Sequence, residues 1–225
     1  MPDAPRPVAP LALTVFYDVH CPYSDRVLTW LADLGPGLVA PTYRAFALEQ
    51  VNADSSATSW RIWEQPLDYE HYRGLQNRRA LAAFLAIALA EQAGPREAVD
   101  RFRLAVSHAR HTGEGDVSDV ALLMRLAAQA GVDADELEQL LADPSAVDAA
   151  RARIREDWHD ARDDYAIFGV PTLRLVGEAP FYLRLESVPQ NGQAEALLAS
   201  VSGFQEQLPR VLEIKVPERV SRSAF

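Results

Sequence analysis

Among 225 residues there is one cysteine, Cys21, and what this scarcity excludes is a useful start. No internal disulfide can form, so stability cannot depend on oxidation and the chain is expected in a reducing compartment. No apolar run approaches the length of a membrane span, and the proline-rich first ten residues lack the basic start and apolar core of a signal peptide. They read as a flexible leader on a cytoplasmic protein. Lysine is almost missing too: of 22 basic residues only Lys215 is one, and 32 acidic residues leave a net charge of −10. That balance argues against a broad electrostatic grip on nucleic acid, so neither nucleic acid nor membrane is expected as a partner. There is no Gly-rich phosphate loop and no Gly-x-Ser-x-Gly elbow. His108 and His111 are spaced i, i+3 on a predicted helix, but no nearby Cys or further His completes a ligand set, and no metal is assigned. Asp163 and Asp164 read as a solvated helix face.

What is present is a short apolar run, Val15-Phe16-Tyr17, that leads through Asp18-Val19-His20 into Cys21-Pro22-Tyr23-Ser24 and then a helical pattern. Unsatisfied backbone N–H groups at a helix N-terminus carry partial positive charge, which favours thiolate over thiol. Cys21 is therefore predicted to be at least partly exposed, with a lowered pKa. A second segment, Phe168-Gly169-Val170-Pro171-Thr172, precedes the apolar Leu173-Arg174-Leu175-Val176. A proline just before a strand is a place where a cis peptide bond can be held, and it leaves neighbouring backbone groups free to pair with a substrate.

With 48% hydrophobic residues the chain can bury a substantial core. Apolar patterning predicts strands over 11–18 and 38–48, joined by a helix over 22–34 that Gly35-Pro36-Gly37 stops. From 69 to 168 the periodicity is helical and alanine-rich, with five helices expected at 69–93, 96–111, 119–130, 134–141 and 145–168. Ser118 and Asp133 are candidate N-caps, and Gly94 and Gly131 candidate stops. Strand signals return at 172–176 and 181–185, followed by a helix over 193–201 and a peripheral strand at 211–216. Trp60, Trp63 and Trp158 either line a groove or pack in the core.

The Cys-Pro-x-x turn after the first strand, paired with Phe-Gly-Val-Pro-Thr before the third, resembles the DsbA-like branch of the thioredoxin superfamily. Gly131-Val132-Asp133 through Asp143-Pro144 resembles the insertion of cytoplasmic members similar to the FrnE group. The same branch includes kappa-class glutathione transferases and 2-hydroxychromene-2-carboxylate isomerases. The resemblance implies an α/β thioredoxin-like fold with a large all-helical insertion. Its expected limits are 11–68 and 169–203 for the thioredoxin-like part, 69–168 for the insertion, and 1–10 and 204–225 for tails. It implies Cys21 as nucleophile and Ser24 as hydrogen-bond donor to its thiolate. Pro22, Tyr23, Val170 and Pro171 would meet the substrate. His20 is a candidate tuning group.

The sequence departs from the two-cysteine pattern at Ser24, whose hydroxyl cannot resolve a mixed disulfide. This favours a single-cysteine oxidoreductase acting on a small thiol or disulfide, with no tightly bound cofactor and with glutathione or mycothiol as co-substrate. A thiol-dependent transferase or isomerase, and a non-catalytic binding module, are the two alternatives. Homodimerisation is left open.

Overall fold

A computed structural model describes residues 9–55, 59–71, 73–190 and 192–203. Strand β1 (Leu11–Tyr17) leads into helix α1 (Pro22–Leu34), then β2 (Val39–Ala45) and α2 (Leu48–Ser55). Five helices follow: α3 (Leu81–Ala93), α4 (Arg96–Thr112), α5 (Val120–Ala130), α6 (Ala134–Ala142) and α7 (Pro144–His159). The chain closes with β3 (Thr172–Leu175), β4 (Phe181–Tyr182) and α8 (Gln193–Ser202). The sheet order is β2-β1-β3-β4. β1 runs parallel to β2, with Leu11 opposite Val39, and antiparallel to β3, with Phe16 opposite Thr172. Among the described residues no helix is long and apolar enough to cross a membrane.

The two sides of the sheet bury different partners. Leu13, Val15, Leu173 and Leu175 pack with Val27, Trp30 and Leu31 of α1, and the Trp30 indole N–H donates to the Ala194 carbonyl of α8 at 3.1 Å. Phe16, Tyr17 and Phe46 belong to a larger cluster with the insertion, whose centre is α3. In α3, Leu81, Leu85 and Leu89 are all fully buried. A helix apolar on every side can exist in water only when surrounded by others, and α4, α5, α6 and α7 supply that surround.

Several boundaries differ from the pattern-based expectation, each for a tertiary reason. β2 ends at Ala45 because Leu48 opens α2, a helix the periodicity did not reveal. The Asp18 carboxylate accepts the Leu48 amide at 2.7 Å and so supplies, from the turn after β1, the partner that a helix start needs. The first insertion helix begins at Leu81 rather than at 69; the preceding chain runs through turns, with Arg79 donating to the Tyr69 carbonyl. The last ends at His159 and passes through a wide π turn, Asp160–Asp164, with Ala166 at φ 52° beyond it. Asp119, not Ser118, caps α5, while Asp133 caps α6 and Gly131 closes α5 in the left-handed conformation. Trp63 and Trp158 are buried in the core, where Trp158 stacks on Phe46 at 4.9 Å. The strand expected at 211–216 lies outside the described residues.

Candidate active site

Cys21 occupies the N-cap of α1 with extended backbone, and Pro22 sits in the first turn, where its missing N–H leaves no helical bond unmade. β1 and β3 are adjacent in the sheet, which carries Val170 and Pro171, just before β3, up to the thiol. The Val170–Pro171 peptide bond is cis. Cys21 Sγ donates to the Val170 carbonyl oxygen at 3.3 Å. Cys21, Ser24, Val170 and Pro171 therefore meet, although 149 residues separate the thiol from Val170.

The structure corrects the expected state of the thiol. Cys21 is buried, at 4% exposure, and burial pushes its pKa up. Hydrogen bonds from the Ser24 and Tyr23 amides and the Ser24 hydroxyl pull the other way, but do not prevail. The helix N-terminus is present as expected, yet desolvating an anion outweighs a few favourable donors. The resting group is a thiol that donates a hydrogen bond, not an exposed thiolate.

Ser24 is fully buried, and its Oγ also accepts the Asp18 amide at 3.4 Å. Pro22 is exposed. Tyr23 is half-buried beneath Arg184, whose guanidinium lies 4.0 Å from the ring centre and donates to the phenol oxygen. Nearby Phe168 is 69% exposed and packs against Tyr182 at 5.4 Å. His20 is a junction: its amide donates to Asp18 Oδ1 at 2.7 Å and its Nδ1 accepts from Arg110 Nε at 2.8 Å. Burial lowers its pKa.

Sequence reasoning missed a polar group behind the thiol. Asp18 is almost completely buried, accepting from both His20 and Leu48, and its pKa is raised by that burial. Glu49, also buried, accepts the Tyr69 hydroxyl at 2.5 Å and lies 3.4 Å from His71 Nε2. Burial pushes its carboxyl up to about 7. Only the placement of Asp18, three residues before Cys21, gave any signal; nothing local connects Glu49 with residues 69 and 71. His108 and His111 face different partners, Asp25 and the Val19 carbonyl. Among the described residues no group of three or more His, Cys, Asp or Glu could hold a metal.

A parallel β1-α1-β2 unit, an antiparallel β3-β4 pair and a cysteine facing a cis-proline loop define a thioredoxin-like protein with a helical insertion. The chain belongs to the DSBA-like thioredoxin domain family, whose pattern matches residues 12–188. It is 30% identical over 203 residues to an uncharacterized protein of Mycobacterium tuberculosis, covering 90% of this chain and 80% of that one. In fold it is similar to the cytosolic disulfide reductase DsbM of Pseudomonas aeruginosa solved with GSH. That match has a TM-score of 0.55 at 17% identity, and covers 85% of this chain and 99% of the other. A 2-hydroxychromene-2-carboxylate isomerase matches with a TM-score of 0.53 at 15% identity, covering 88% and 99%.

Proposed function

We propose that this chain is a cytoplasmic thiol–disulfide exchange enzyme that works through Cys21 alone, with a low-molecular-weight thiol, glutathione or mycothiol, as co-substrate. The observation that carries the reading is Cys21 Sγ against the Val170 carbonyl beside Pro171, with a serine hydroxyl where a resolving thiol would stand. Cys21 would attack a disulfide, form a mixed disulfide, and wait for an external thiol, because Ser24 cannot accept the sulfur. The cytosolic reductase solved with GSH is a fold neighbour that fits a small thiol partner.

Mass spectrometry after mild oxidation tests this. The parent chain is expected to carry small-thiol adducts on Cys21, released by added thiol, while Ser24→Cys is expected to lose two hydrogens as an internal disulfide forms. No adduct in the parent under conditions that oxidise free thiols would end the proposal.

A second reading has one observation in its favour. A protonated Cys21 donating a hydrogen bond behaves as a serine hydroxyl would, which suits a transferase or isomerase whose bound thiol carries the reactive sulfur. Thiol-dependent activity that survives Cys21→Ser would select it.

A further inference from the structure

The turn that carries Cys21 contributes Asp18, His20 and Pro22 to a cleft of about 390 Å³, closed on its other sides by α2, by His71, Arg73, Leu75 and Arg78, and by the end of α4. Three arginines line it: Arg73 and Arg78 from the stretch before α3, and Arg110 from α4. On a chain of net charge −10 this is a local reversal of sign. Two carboxylates, Asp18 and Glu49, also face the cleft, and the three arginines outnumber them. Glu49 is tied to the Tyr69 hydroxyl and, with its carboxyl pushed up to about 7 by burial, is close to half neutral in the physiological range. His20 is held in place: its Nδ1 accepts from Arg110, and its ring is hydrogen-bonded to the Arg79 backbone.

Fixed positive charge and a concave wall together suit an anion, since a carboxylate or phosphate accepts charge-assisted bonds from guanidinium groups. We infer that this cleft seats the anionic group, a carboxylate or a phosphate, of the molecule whose sulfur exchanges at Cys21. The inference rests on the exchange reading above and narrows it to anionic partners. In the reaction, the disulfide S–S bond of RSSR breaks as a new S–S bond forms to Cys21. The proton that Cys21 loses ends on the released RSH. Electrons balance without a further oxidant.

Three small disulfides test it on the full chain at low ionic strength: dithiodipropionate, hydroxyethyl disulfide and cystamine, which are dianionic, neutral and dicationic. Each rate of Cys21 adduct formation, followed by mass spectrometry, is divided by that reagent's rate with a free small thiol. The expected order is dianion, neutral, dication, with about tenfold between the extremes. The order should collapse in an Arg73→Gln, Arg78→Gln double variant, whose substituted side chains are exposed, and in about 1 M salt, where screening is nearly complete. Thiodipropionate, a thioether that cannot exchange, supplies a second readout. It should shift the imidazole NMR signals of His20, His71 and His111 in the parent chain and not in the double variant. Adducts without ranking or shifts overturn the cleft assignment. Shifts without adducts from any disulfide overturn the proposal through its premise of exchange at Cys21.

Discussion

Cys21 has two unlike neighbourhoods. Towards β3 and β4 it meets main chain and aromatic surface: the Val170 carbonyl, Pro171, and the exposed Phe168 packed at a tilt against Tyr182. Towards α2 and the insertion the turn that carries it meets titratable groups, Asp18, His20, Glu49 and His71, all half-buried or deeper. The first neighbourhood is apolar with one acceptor, and it holds the proton on sulfur. The second is polar and internally hydrogen-bonded, and it holds the Cys21 turn in place while presenting charge to a cleft. Position and protonation of the thiol are thus controlled largely by backbone and burial, whereas discrimination among partners falls to side chains.

The largest expected effect breaks both neighbourhoods at once: Cys21→Ala should abolish adduct formation and exchange altogether, read by mass spectrometry and by thiol-coupled turnover. Next comes the polar side. Asp18→Ala leaves the His20 and Leu48 amides without their charged acceptor and should cost about 3 kcal/mol in urea unfolding, with Asp18→Asn recovering part of it. A loss below 0.5 kcal/mol would show that the carboxylate does not tie the active-site turn to α2.

Glu49 sharpens the comparison through pH. Its folded pKa is raised from 4.5 to about 7, so between those values the folded chain holds a proton that the unfolded chain has released. Its contribution to stability is fully present below the unfolded value and declines as pH rises, by roughly 1.4 kcal/mol per unit inside that window. Glu49→Gln should remove that slope. Equal slopes in the two proteins between pH 5 and 7 would refute the assignment.

Ser24→Ala acts on the boundary between the neighbourhoods. Burial already holds the Cys21 pKa above its ordinary value, and loss of the Ser24 hydroxyl removes a group that lowers it. The midpoint of the alkylation rate should therefore move further up. A downward move would mean that the hydroxyl favours the thiol. The smallest effect lies on the aromatic side: Phe168, at 69% exposure, should tolerate replacement by alanine within about 0.5 kcal/mol, while exchange with apolar disulfides slows.

Much of the fold was legible because its signals are local. β1 and α1 follow from apolar spacing on either side of Cys21, α4 to α6 from periodicity with Asp133 and Gly131 as punctuation, and β3 from Leu173-Arg174-Leu175 after Pro171. The misjudged pieces share a cause. α2 starts where a carboxylate from the turn after β1 reaches it, and residues 69–71 and 73–79 look helical in composition but are drawn into turns beside Glu49 and Ser118. Neither contact has a signature within a short window of sequence.

The sequence by itself determined that one thiol is available, that it stands at the start of a helix after a strand, that no second thiol lies one turn on, and that a proline precedes the third strand. Those are matters of residue type and spacing. Only the tertiary structure decided that the thiol is buried against Val170, that Asp18 and Glu49 line one cleft beside its turn, and that arginines from two stretches share that cleft. The physical reason is that burial and electrostatic environment are set by every group within a few ångströms, and in this fold those groups arrive from positions as far apart as 21 and 170.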